Sequence, residues 1–262
     1  MAQTAPGVCA AFVVAAQGYD RLMGRYLPSL GPAFADAAVI TPGQRVLDVG
    51  CGPGGLTGEL ARRVGAGAVA AIDPSPPFVL ACRDRYPDVD VRIGVAEQLP
   101  FDDEEFDAAL ACLVIGFLND AHAGVAEMAR VTRPGGTVAA CFWDVANMPA
   151  IQLFWRSAAQ VDPDRSGEVA RLGSREGDLA ALLTHAGLRD VEETTLAARA
   201  TYRDFNDWWS PIAQGIGPAG AYYLSLDGPH RAALRAACEQ QLGHPDSPFV
   251  LEASAWCVRG TT

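Results

Sequence analysis

Two acidic residues placed on either side of a glycine run are the first residues whose types and spacing suggest chemistry. The stretch V-L-D-V-G-C-G-P-G-G occupies residues 46–55, with Asp48 two residues before the first glycine and Asp73 nineteen residues after Gly54. Glycine reaches positive φ without steric cost and lets a ligand approach the backbone closely. A helix that follows such a turn offers free backbone N–H groups. The run Gly50-Cys51-Gly52-Pro53-Gly54-Gly55 meets the loose G-x-G-x-x-G pattern, which dinucleotide-binding folds share. Asp48 separates the possibilities. A pyrophosphate at this strand end would meet a carboxylate at close range and be repelled, whereas an ammonium group would be attracted. Asp73 ends the next apolar run, the place for a carboxylate that accepts bonds from two ribose hydroxyls. The pair therefore points to a nucleoside ligand that carries a cationic end.

The elements that must position these acids follow from the hydropathy rhythm. Apolar runs at 46–49, 68–72, 89–93, 106–114 and 137–143 read as strands. The stretches 56–64, 78–86 and 121–131 have helical spacing. Strands alternating with helices imply βαβ units and a parallel sheet. The run at 106–114 is continuous and apolar, as in a strand buried on both faces. Beyond Asp144 the rhythm changes: a helix at 176–186 ends at Gly187, and strands are expected at 190–200 and 249–258. Two pieces fall outside the rhythm, residues 1–40 and the irregular, aromatic-rich stretch 201–247. Both are read as cap elements over the C-terminal strand ends. The domain expectation is one unit over 1–262, with a core of about 41–200 and 248–260.

Composition narrows the function. The net charge is −11 and Lys is absent. Clustered basic residues needed to neutralise phosphates are therefore missing, which disfavours nucleic acid. Schiff-base chemistry and a Walker-type grip, which need Lys, are excluded. The seven cysteines lack C-x-x-C spacing and several sit inside apolar runs. This is the pattern of buried thiols in a reducing compartment. No metal is expected from the scattered histidines. No apolar run reaches the roughly 20 residues a membrane helix needs, and the start lacks a basic n-region, so a cytoplasmic location without membrane contact is expected. Monomer and homodimer are both open.

Taken together, the pieces VLDVGCGPGG (46–55), AID (71–73), AEQLPF (96–101), FDAALA (106–111) and EMARVTRPGG (127–136) resemble the class I S-adenosylmethionine-dependent methyltransferases, in the branch of quinone-biosynthesis and other small-molecule enzymes. The tail pieces at 202–222 and 253–260 are similar to C-terminal regions of bacterial members. The resemblance implies a Rossmann-like, doubly wound α/β fold with a seven-stranded sheet, mostly parallel with an antiparallel last strand, plus a helical cap. It implies S-adenosyl-L-methionine as cofactor and a small-molecule acceptor. Gly50, Gly52 and Gly54 would line the methionine moiety, Asp48 its ammonium and Asp73 the ribose. Ala96 and Glu97 fall where the family contacts adenine, and Cys112 and Leu113 fall beside the sulfonium. Val95 stands where the family usually has Asp, so an acceptor for the adenine amino group is either absent or supplied by Glu97. Tyr19 lies where cap residues close over the cofactor.

His122 lies just beyond a strand end and is the candidate general base; His230 and His244 are lesser ones. The aromatic cap pieces suggest a mostly apolar or aromatic acceptor, with the atom methylated left open. Two rivals stand beside this reading. One is an NAD-dependent oxidoreductase on a similar sheet, weakened by Asp48 and by the absence of a Tyr/Lys pair. The other is a protein that binds the cofactor without catalysis.

Overall fold

The computed structural model describes residues 20–163 and 171–262. Its strands are β1 (Val46–Val49), β2 (Val69–Asp73), β3 (Asp90–Ile93), β4 (Phe106–Cys112), β5 (Thr132–Trp143), β6 (Arg189–Tyr202) and β7 (Phe249–Thr261). They form one sheet in the order β3-β2-β1-β4-β5-β7-β6. Neighbours from β3 to β5 run parallel, and β7 pairs antiparallel with both β5 and β6. The expected Rossmann-like sheet with an antiparallel last strand is thus present.

The central strands are mostly apolar, with Asp48, Asp73 and Asp107 as exceptions, because both sheet faces are covered. Side chains leave a strand alternately to opposite faces. In β4, Ala108, Leu110 and Cys112 enter one core while Ala109 and Ala111 enter the other. The helices are α1 (Leu27–Ala37), α2 (Gly55–Val64), α3 (Pro76–Arg85), α4 (Ala121–Val131), α5 (Pro149–Val161), α6 (Asp178–His185), α7 (Phe205–Ala213), α8 (Gly217–Ser225) and α9 (Gly228–Gln241). Buried residues of α1, α2, α3 and α5 join the first core, and those of α4 and α6 join the second. Local chemistry sets the helix starts. Pro76 and Pro77 occupy the first turn of α3, where a missing N–H costs nothing. Asp120 caps α4 by accepting from the Ala123 N–H.

Three features differ from the sequence reading. The stretch 201–247 is helical rather than irregular. Its glycines and prolines punctuate the helices: Pro218 and Pro229 sit in first turns, and Gly215 and Gly217 turn the chain at positive φ between α7 and α8. Helix α5 has no counterpart in the sequence reading. β5 begins at Thr132, with a register slip that sets Phe106 opposite Thr132 and Ala108 opposite Thr137, so the 133–136 turn lies inside the strand as an irregularity. Helix α1 lies along the sheet against β6 and α2, with its first turn, Leu27 and Pro28, reaching the strand ends. The Arg25 guanidinium makes a double hydrogen bond to Asp207, at 2.7 and 2.9 Å, and so joins the turn Gly24–Tyr26 to α7. The six described cysteines are buried and unpaired.

Candidate cofactor and acceptor site

The glycine loop leaves β1 through two hydrogen bonds to one acceptor: the Gly50 and Cys51 N–H groups both donate to the Ile72 carbonyl, at 2.8 and 3.0 Å. All three glycines have positive φ, but for different reasons. A Cβ on Gly50 would lie 2.4 Å from Val114 Cγ2, and one on Gly54 would lie 2.7 Å from the Tyr86 ring. These two serve close packing. A Cβ on Gly52 would meet nothing within 4 Å. Gly52 is the one that opens onto free space.

The two acids differ in how they are satisfied. Asp48 is 1% exposed. Its Oδ2 accepts from the Thr57 hydroxyl at 2.7 Å, while its Oδ1 has no partner. Burial pushes its pKa up to about 7; the Thr57 bond opposes this and the charge of Asp73 adds to it. A buried carboxylate oxygen without a donor is costly, and Asp48 stands in a cavity wall. Asp73 ends β2 with both oxygens engaged: Oδ2 accepts from the Gly52 N–H at 2.9 Å and Oδ1 from the Ser75 N–H at 2.8 Å. Burial raises its pKa, and these two backbone bonds hold the rise back.

Three adjoining cavities surround these residues. The largest, about 420 Å³, is walled by Gly52, Asp73, Ala96, Glu97, Val114 and Phe117. A second, about 310 Å³, has Asp20, Asp48, Gly52, Arg85 and Cys112 in its wall. Gly50, Gly52 and Cys112 belong to both. The third, about 100 Å³, is enclosed mainly by apolar side chains, among them Met23, Phe142, Trp143, Phe154 and Trp208. It meets the first at Leu113 and Phe117. Leu113 has φ +63 and donates its N–H to the Cys141 carbonyl at 2.8 Å. A bulky residue in the left-handed region costs energy and is held there by its surroundings; here it marks the junction where the cavities meet.

Asp48, Gly50, Gly52, Asp73, Ala96, Glu97, Cys112 and Leu113 are therefore brought together on the cavity walls. Gly54 is set back as a packing position. Glu97 Oε1 accepts from the Asn119 N–H at 2.8 Å and the Asp120 N–H at 3.3 Å, which ties down the loop before α4. Val95, exposed, lines the same cavity. His122 requires a correction. It is exposed on the first turn of α4, its ring packs edge-on against His185 with centroids 4.8 Å apart, and it lines none of the three cavities. The helical period that buries Ala121, Gly124, Val125 and Met128 turns position 122 outward. His230 is also exposed, on α9. Tyr19 lies outside the described residues. The sequence reading passed over Thr57, whose spacing of nine from Asp48 places it one turn into α2, and Phe117, which forms a shared wall.

Residues 47–140 match the family described as methyltransferase domain. The sheet order, the glycine loop with its two acids and this match mark residues 47–140 as a methyltransferase domain of the class I S-adenosylmethionine-dependent kind, with S-adenosylmethionine as its cofactor. An uncharacterised protein of Mycobacterium tuberculosis is 29% identical over 241 residues, covering 86% of this chain and 82% of that protein. The malonyl-[acyl-carrier protein] O-methyltransferase of Serratia marcescens is 31% identical over 164 residues, 60% of each chain. The structure of phosphoethanolamine N-methyltransferase 2 from Haemonchus contortus, in complex with S-adenosyl-L-methionine, shares the fold. Its TM-score is 0.57 at 16% identity, covering 94% of this chain and 56% of that one.

Proposed function

We propose that this methyltransferase acts on a small, mostly apolar or aromatic acceptor seated in the 100 Å³ cavity beside Leu113 and Phe117. The observation that carries this reading is the shared wall: the apolar chamber shares Leu113 and Phe117 with the cavity holding Asp73, which in turn shares Gly50, Gly52 and Cys112 with the cavity holding Asp48. The orphaned Asp48 Oδ1 and the open space at Gly52 fit the cofactor. Asp48 would accept from its ammonium group, and Gly52 would let its methionine portion approach the backbone. Asp73 would accept from the ribose hydroxyls on the lone pairs its backbone donors leave free. Ala96 would pack against the adenine, with Glu97 holding the loop that borders it. Cys112 and Leu113 would flank the sulfur.

When bound, the sulfonium supplies an already activated methyl group. The chain's own part is alignment and exclusion of water. Phe142, Trp143, Phe154 and Trp208 make the acceptor chamber dry, and the left-handed turn at Leu113 fixes its mouth. No histidine reaches the chamber among the described residues, so no base is assigned. An acceptor already ionised in solution, such as a carboxylate or an acidic phenol, needs none. The charge of −11 supports a small molecule over nucleic acid. No helix among the described residues is long and apolar enough to cross a membrane.

Calorimetry with S-adenosylhomocysteine and with NADH, followed by labelled-methyl transfer to a panel of phenols, carboxylates and amines, tests the reading. Binding of the first compound alone, with transfer to apolar members of the panel, is expected. Transfer confined to highly polar acceptors would overturn it. Cofactor binding with no transfer at all would favour a non-catalytic role.

A further inference from the structure

Among the described residues, the apolar chamber has one cation in its wall. Arg171 lines it, with its guanidinium 4.6 Å from the centroid of the Phe117 ring. Its Nε is buried and has no hydrogen-bond partner. No carboxylate pairs with it among the described residues, although most arginines here are paired, as Arg130 is with Glu127 and Asp103. A half-buried guanidinium that keeps only a ring face for company leaves donors unsatisfied, and buried donors are nearly always satisfied. A second polar atom of the same chamber, Tyr26 Oη on a side chain 1% exposed, is buried with only the Tyr202 hydroxyl beside it. Burial, with Tyr202 beside it, pushes the Tyr26 pKa up, so the phenol keeps its proton and can donate. Apart from that Tyr202 hydroxyl, the remaining wall is apolar.

One cation and a pair of neutral tyrosine hydroxyls in an otherwise apolar wall describe a complementary ligand. We propose that the acceptor is an apolar-bodied carboxylic acid whose carboxylate is held by Arg171, the chamber walls of Phe142, Trp143 and Phe154 taking its ring or chain. The planar fork of Arg matches a carboxylate in two parallel bonds, which Lys cannot reproduce. A phosphate ester, carrying close to two charges, would need more than the single cation present. The stacking on Phe117 places the anchor beside the junction with the cofactor cavity, so the carboxylate would set how deeply the acceptor sits. Arg171 is on this account a specificity-determining residue. The inference rests on the reading of this cavity as the acceptor chamber.

The test uses the full chain saturated with S-adenosylhomocysteine. Phenylacetate is compared with phenylacetamide and hexanoate with hexanamide, binding being followed through the fluorescence of the lining Trp143 and Trp208. The acids are expected to bind roughly tenfold or more tightly than their amides, the worth of one charge-assisted contact. That preference should vanish in Arg171→Gln and be partly retained in Arg171→Lys, with S-adenosylhomocysteine affinity unchanged in both. Tyr26→Phe should weaken acids and amides alike while leaving the preference. Equal binding of acids and amides, or a preference that survives Arg171→Gln, overturns the inference and leaves the chamber reading standing. If neither acids nor amides perturb the tryptophans or protect the chamber, the chamber reading itself falls. Should Arg171→Gln fail to fold, a wild-type preference undiminished in Arg171→Lys likewise counts against the inference.

Discussion

Asp48 is neutral-prone when its cavity is empty, because burial lifts its pKa from 3.8 to about 7. The folded chain therefore holds this proton more tightly than the unfolded chain does. The stability contributed by the neutral form is complete below pH 3.8 and is lost as pH rises to about 7. Without cofactor, wild-type protein should lose stability across that window relative to Asp48→Asn, as measured by urea denaturation at a series of pH values. A cationic ligand reverses the preference and ionises Asp48. At pH 6, S-adenosylhomocysteine binding to wild type should release close to one proton more than binding to Asp48→Asn, read by calorimetry in buffers of different ionisation enthalpy. The same variant should bind at least roughly tenfold more weakly, since a hydrogen bond to a charged group is worth about 1.5–3 kcal/mol. The glycines separate along another line. Gly50→Ala forces Val114 aside and should lower the melting temperature. Gly52→Ala meets no atom and should cost only about 1 kcal/mol of left-handed strain, yet lose cofactor affinity, because the added methyl enters the cavity.

At the scale of elements, the strands and the loop acids were readable because their signals are local. A continuous apolar run such as 106–112 is dictated by two covered faces, and an acid at a strand end is visible from spacing alone. The cap was not readable in this way. Helices α7 and α8 are short and carry Pro211, Pro218 and Gly220, α9 opens on Gly228-Pro229, and the segment is held by contacts distant in sequence. Trp209, for example, packs against Phe154 and edge-on against Tyr223. His122 misled for a related reason: nearness to a strand end in sequence says nothing about the side of the helix a residue faces. His122→Ala should accordingly leave kcat within about twofold of wild type, where a general base contributes on the order of a hundredfold or more. The joint between cap and sheet has one named contact. Asp207 is held well below the usual carboxylate range, first by the Arg25 guanidinium. Removing one partner of such a half-buried pair leaves the other uncompensated. Arg25→Gln should destabilise the protein by roughly 1–3 kcal/mol in chemical denaturation. It should also raise KM for the acceptor more than for the cofactor, because Tyr26 sits on the same turn.

Across the whole molecule, β7 joins two parts of the sheet that are otherwise not hydrogen-bonded to each other: β5 on one side, β6 on the other. Deleting residues 249–262 should therefore abolish cooperative thermal unfolding; a shortened chain that still melts in one sharp transition would contradict this. The same arrangement has a consequence during synthesis. The segment that protects the flank of β5 is translated 118 residues after Trp143 (261 minus 143). At the roughly 5–20 residues per second of translation, that is about 6–24 s. Over that interval the nascent chain carries an open row of backbone donors and acceptors along β5, which is the kind of edge that recruits other strands. The quality of its production in a cell is thus tied to chaperone cover in that window, and slower translation of residues 144–261 would lower soluble yield while leaving the finished enzyme unchanged.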